Sequence, residues 1–190
     1  MDDVHRLIRA IDFAAFKHRN QRRKDEEASP YINHPIALTQ VLKVEAGVSD
    51  IDVLCAALLH DTIEDTETTV EELVAEFGAH VASIVVEVTD DTSLPKAERK
   101  RLQVEHAPTL TREAKLVKLA DKICNLRDML DAPPATWPLL RKQEYFEWAK
   151  EVIDQLRGAH PGWRPSSTRL TPASPSGAGP CSPSRASRDP

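Results

Sequence analysis

His60 and Asp61 stand side by side where the apolar run Val53 to Leu59 ends, and Glu64 and Asp65 follow four residues after each of them. A helix that is apolar nearly all round is a buried helix. Its last residues emerge at the inner end of a core element. A lone carboxylate there carries a heavy desolvation penalty, and a divalent cation removes it. If the helix runs on for one turn, Glu64 falls on the face of His60 and Asp65 on that of Asp61. This is the pattern of a hydrolytic metal centre.

Two more positions complete a shell. His34 lies in Tyr31-Ile32-Asn33-His34-Pro35, where a turn enters a helix. Asp121 is flanked by Leu116, Val117, Ala120, Ile123 and Cys124, so it projects toward the core edge. Two imidazoles and two carboxylates suit Mn²⁺, Fe²⁺ or Zn²⁺. Each piece has an ordinary reading as well. A His before Pro often just starts a helix, and Asp121 could pair with Lys118 three residues earlier. The conjunction favours the metal.

The elements that must position these groups read as helices: residues 3–18, 35–46, the apolar helix capped by Ser49 or Asp50, a helix begun by a Thr68-to-Glu71 capping box and ended by Gly78, then 79–90. Pro95 opens a charged helix at its first position. A long helix covers about 111–130 and a last one 139–156. Strand signals at Val85, Val86 and Val88 are too short and isolated. The expected fold class is all-α: one compact domain over residues 1–157, with a disordered Pro/Ser-rich tail over 158–190.

Composition supports this division. The last 33 residues of the 190 hold seven of the 14 prolines, four of the six glycines and a net charge of +3, which leaves −8 on the first 157. Such a tail cannot offset its ordering entropy by burial. A chain with a net charge of −5 is not a general nucleic-acid binder. No apolar run is long enough for a membrane span. Cys55 and Cys124 sit in apolar helical patterns and read as reduced core residues, and the start, Met1-Asp2-Asp3, is acidic where a signal peptide is basic. The expected location is cytoplasmic.

Several motifs extend beyond the ligands: Gln21-Arg22-Arg23-Lys24-Asp25, Pro30-Tyr31-Ile32-Asn33-His34-Pro35, Ala57 through Thr66, and Lys118-Leu119-Ala120-Asp121-Lys122. Together, over about residues 4–157, they resemble the HD-domain phosphohydrolases. Within these the chain is most similar to the hydrolase half of RelA/SpoT enzymes, and above all to their small single-domain metazoan form. The resemblance implies an HD-type helical fold that binds one Mn²⁺ through His34, His60, Asp61 and Asp121. It implies hydrolysis of ppGpp and pppGpp to GDP or GTP with release of pyrophosphate, and for the metazoan branch removal of the 2′-phosphate of NADPH. It assigns Glu64 as general acid/base, with Asp65 as its partner.

A polyanionic substrate on an acidic domain needs local cations. Arg22, Arg23 and Lys24 precede His34 and can grip phosphate; the resemblance places this segment on substrate. Asn125 shares the face of Asp121 one turn on. Tyr145 and Phe146, with Trp148 nearby, could offer a flat surface for a base, and the resemblance favours Asn125 and Tyr145. Lys96, Arg99, Lys100 and Arg101 form a second basic cluster that could be only a charged helix face. The expected partner is a small nucleotide, not nucleic acid or membrane, and a homo-oligomer is possible. Two other functions compete. Another HD phosphohydrolase would more often need extra His ligands, and His18, His80 and His106 show no such spacing. A non-catalytic alarmone-binding module would lack the acids Glu64 and Asp65.

Overall fold

The buried helix of the sequence is the hub of the fold. The computed structural model describes residues 2–160 apart from residue 135, and the expected tail lies outside them from 161 onward. Helix α1 (Asp3–Lys17) is followed by α2 (Asn33–Gln40), which runs into a π-helical turn at Val41–Glu45. Then come α3 (Ile51–Leu59), the single turn α4 (Thr62–Asp65), α5 (Val70–Phe77), α6 (Ala79–Val88), α7 (Lys96–His106), a 3-10 turn (Ala107–Thr109), α8 (Arg112–Asp131) and α9 (Leu139–Gln155). Among the described residues there is no strand, only one isolated bridge between Arg22 and Pro30.

Helix α3 packs against α1, α2, α6 and α8. Every residue from Val53 to Leu59 is buried, as its all-round apolarity requires. Asp50 caps it, accepting from the Asp52 amide at 2.9 Å. The core is aliphatic, built on Leu38, Leu42, Leu58, Leu59, Leu73, Ile84 and Val117. Cys55 and Cys124 are free and buried within it. No helix among the described residues is long and apolar enough to cross a membrane.

Local details differ from the sequence expectation in three places. The helix carrying His60 does not run on: it stops at Leu59, Asp61 adopts φ −100° and ψ 2°, and α4 starts afresh. Thr62, fully buried, donates its hydroxyl to the Leu59 carbonyl at 2.7 Å, satisfying a group the break sets free. The cap of α5 is Thr69, accepting from the Glu72 amide, rather than Thr68 with Glu71, because each residue is one step further along. Pro95 stands just before α7, as its N-cap, instead of at its first position. The π-turn, closed by the Ala46 amide on the Val41 carbonyl at 3.0 Å, carries Glu45 to Arg127 of α8, where two bonds of 2.6 and 2.7 Å tie α2 to α8.

Burial ranks the contributions. Leu59→Ala leaves a cavity at the hub and is expected to lower unfolding free energy by ~3 kcal/mol. Arg101→Ala, removing exposed ion pairs to Glu98 and Glu105 on α7, is expected to cost less than ~1 kcal/mol. Urea unfolding of the two variants measures the contrast.

Candidate active site

Three separate segments deliver the candidate ligands to one place. His34 lies in the first turn of α2, His60 terminates α3, and Asp121 sits mid-way along α8. The ligand atoms of these three lie within 4.8 Å of one another. His34 Nε2 is 3.2 Å from Asp121 Oδ1, and His60 Nε2 is 3.9 Å from the same oxygen. Donors that share a first-row cation sit ~3–4 Å apart, given bonds of ~2.1 Å. Asp61 stands at the edge of this group. Its Oδ2 is 2.9 Å from His60 Nε2 and accepts the Tyr31 hydroxyl.

The donor set fits a divalent cation by its unmet demands. His60 donates Nδ1–H to the Ala57 carbonyl at 2.9 Å, which turns the lone pair of Nε2 into the site. That Nε2 is buried without a hydrogen-bond partner. Burial alone would lower the His60 pKa, but Asp61 and Asp121 outweigh it and push it up to about 9. Burial would raise the Asp61 pKa, and His60 more than reverses that. Burial likewise works against ionised Asp121, yet Lys122 and His34 hold its pKa well below the usual range. A field that favours positive charge this strongly favours a cation.

Lys122, not Lys118, pairs with Asp121, at 3.0 Å to Oδ2. Lys118 instead reaches the Val88 carbonyl at 3.2 Å and Asp90 at 3.3 Å. Both lysines are buried. Asn125 donates to Asp121 Oδ1 at 2.6 Å, one turn along the same face. The two acids after Asp61 part company. Glu64 accepts the Asp90 amide at 3.1 Å and faces Arg99 at 3.5 Å. Its burial pushes its pKa up to about 7, the charge of Asp90 adding to the rise. Asp65, raised mainly by burial, accepts from Gln21 Nε2 at 2.7 Å.

These groups line a polar chamber of about 180 Å³ that includes Tyr31, His34, His60, Asp61, Glu64 and Asp121. A vestibule of about 550 Å³ adjoins it, sharing Tyr31, His34, Asp65 and Asn125. Arg22, Arg23, Lys24 and Tyr145 all line that vestibule. Within it Arg23 pairs with Asp128, and Arg22 turns back onto the carbonyls of Arg19 and Gln21, both at 2.9 Å. Trp137 joins Tyr145 on the wall, ring centroids 5.9 Å apart. Phe146 is not among the lining residues, and Trp148 packs behind Tyr145 with Lys100 and Lys122 over its ring.

The sequence alone does not single out Tyr31, Gln21, Asp90 or Trp137. Tyr31 and Gln21 lie within the family motifs, but nothing in their spacing marks a bond to an acid 30 or 44 residues on. The second basic cluster divides: Arg99 turns inward to Glu64, while Arg101 is tied up with Glu98 and Glu105. Tyr31→Phe, which removes a hydroxyl held by Asp61, is expected to weaken divalent-cation binding by about 10-fold with the fold intact. His60→Ala is expected to abolish binding. Isothermal calorimetry with MnCl₂ reads both.

Comparison with known proteins places the chain. The HD domain family matches residues 10–147. The guanosine-3′,5′-bis(diphosphate) 3′-pyrophosphohydrolase MESH1 of Danio rerio is 59% identical over 154 residues, spanning 81% of this chain and 86% of that protein. Its Homo sapiens counterpart is 59% identical over 158 residues, 83% and 88% of the two chains. The corresponding pyrophosphohydrolase of Aquifex aeolicus is 38% identical over 154 residues but is covered for only 20% of its length. A solved structure of a metazoan orthologue of SpoT that hydrolyses ppGpp superposes with a TM-score of 0.81 at 48% identity, covering 87% of this chain and 91% of that one. Alike over nearly its whole described length, in sequence as in backbone, this chain belongs to the HD-domain family and groups there with the MESH1 proteins.

Proposed function

We propose that this chain hydrolyses the 3′-diphosphate ester of ppGpp and pppGpp, giving GDP or GTP and pyrophosphate, with Mn²⁺ as its cation. The observation that carries this reading is the meeting of His34, His60 and Asp121 in a small polar chamber that adjoins a larger, cation-lined vestibule. The MESH1 relatives, at 59% identity, bear the name of that activity. A vestibule of about 550 Å³ is in the range of small-molecule sites.

In this reading His34, His60, Asp61 and Asp121 hold the cation. Bound there, it supplies Lewis acidity, acidifying water and neutralising phosphate charge. Glu64 takes the proton of the attacking water, a task suited to a carboxyl poised at about 7. As water adds to phosphorus, the bond to the ribose 3′-oxygen breaks and that oxygen acquires a proton. Asp65, where chamber and vestibule meet, orients the leaving side. Arg22, Arg23 and Lys24 attract the phosphates, Asn125 faces the ribose, and Tyr145 offers its ring to the base. Burial pushes the Tyr145 phenol up to about 12, so its ring stays uncharged beside a base.

The 2′-phosphate of NADPH is a second substrate on the same grounds. Its scissile bond also joins a ribose oxygen to phosphorus, and the chamber needs only that group.

Purified, Mn²⁺-loaded protein is expected to release pyrophosphate from ppGpp and phosphate from NADPH, followed side by side by chromatography. Glu64→Gln is expected to lower kcat by ~100-fold or more while KM changes little. The sign of the pH effect follows from the role: a base must be ionised, so the parent rate falls as pH drops through about 7, and the variant lacks that limb. An unchanged limb in Glu64→Gln would remove Glu64 from the proton transfer.

A further inference from the structure

We propose that His18 and Gln21 are positioning residues for the acidic end of this site, holding Asp65 through a hydrogen-bond chain and Tyr31 through ring packing. The inference rests on the hydrolase reading above and adds to it two groups outside the chamber.

His18 closes α1 and is only 2% exposed. Its Nδ1 lies 2.6 Å from Gln21 Oε1, and Gln21 Nε2 donates to Asp65 Oδ2 at 2.7 Å. The order of the chain fixes its protons. The carboxylate accepts, so the amide must present its nitrogen to Asp65 and its oxygen to the ring. His18 Nδ1 therefore carries the hydrogen and donates it. The backbone locks the middle link on both sides: the Gln21 amide donates to the His18 carbonyl at 2.9 Å, and the Tyr31 amide to the Gln21 carbonyl at 3.2 Å.

The other contact of the ring points the same way. Its centroid is 4.9 Å from that of Tyr31, whose hydroxyl is held by Asp61. One imidazole thus supports two acids, Asp65 by hydrogen bonds and Asp61 through Tyr31. A histidine kept only for packing would be poorly chosen here. Its Nε2 is buried with no partner, and an apolar side chain would fill the space without that cost. What an apolar side chain cannot supply is the Nδ1–H that orients Gln21.

Isosteres separate this role from mere packing. Asn places its amide nitrogen near Nδ1, whereas Gln reaches the position of Nε2. With Mn²⁺-loaded protein and ppGpp, H18N is expected to keep kcat within about threefold of the parent, while H18Q loses about tenfold or more with KM little changed. Q21M, on a partly exposed turn, keeps the test alive should the His18 variants fail to fold. It is expected to lose as much as H18Q, and the double variant no more than either alone. Independently of turnover, ¹⁵N NMR of the parent is expected to show a slowly exchanging His18 Nδ1 proton that Q21M abolishes. Equal loss in H18N and H18Q, or unchanged kcat in Q21M, overturns the proposal. A parent inert toward ppGpp that still shows the protected proton refutes the hydrolase reading and leaves the chain from His18 to Asp65 standing.

Discussion

Charge placed at the end of a buried helix is the constraint on which the rest of this molecule depends. Helix α3 is apolar on all sides, so the core closes round it and carries His60 and Asp61 inward. Removing a carboxylate from water costs several kcal/mol unless something compensates. The structure compensates twice. Protein groups meet part of the demand: Tyr31 on Asp61, Lys122 and Asn125 on Asp121, the Ala57 carbonyl on His60. The part left unmet, the bare Nε2 of His60 among carboxylates, is the demand a divalent cation satisfies.

The surrounding polar groups follow from that arrangement. Two lysines of α8 are buried, at positions where a helix in water would point them outward. Lys122 neutralises Asp121, and Lys118 neutralises Asp90, which in turn gives its amide to Glu64. The chamber is thus a lattice of alternating charge in which few groups could be removed without stranding another. Glu64 is the exception in kind. Its contacts are a single amide and a long pair to Arg99, so burial dominates and keeps its proton easily exchanged near neutrality. In the proposed reading the groups held firmly by opposite charges hold the cation, and the one held loosely transfers the proton.

Division of space complements division of charge. The polar chamber is small, about 180 Å³, and the vestibule, about 550 Å³, is three times as large; in the proposed reading the first takes the scissile phosphate and the second the rest of the nucleotide. Residues of the segment between α1 and α2 line both: Tyr31 faces each space, and Arg22, Arg23 and Lys24 face the larger. That segment forms no helix and holds only the isolated bridge between Arg22 and Pro30. It is fixed by a bond within it, the Arg23 amide to the Ser29 carbonyl at 2.9 Å, and by bonds to neighbours such as Gln21 to Asp65.

Much of this was legible without coordinates, because periodicity and buried charge are local properties of a chain. The pattern of apolar residues marks α1, α3, α6 and α8 to within a few positions, whereas the charged α7 is marked only by the proline before it. The contrast between an apolar run and the His-Asp pair that ends it marks two residues that the fold brings to the chamber wall. Partners far apart in sequence were not legible. That Lys118 belongs to Asp90 rather than Asp121, that Tyr31 bonds Asp61, and that His18 reaches Asp65 through Gln21 all depend on where helices cross. The break after His60 was hidden too, since Thr62 caps the Leu59 carbonyl only once the surrounding core has excluded water. The chain's own order of residues determined which elements form, which of them is buried and which groups could bind a metal. Tertiary structure alone decided which charges neutralise one another, because Coulomb energy depends on separation in space and on the dielectric that packing creates.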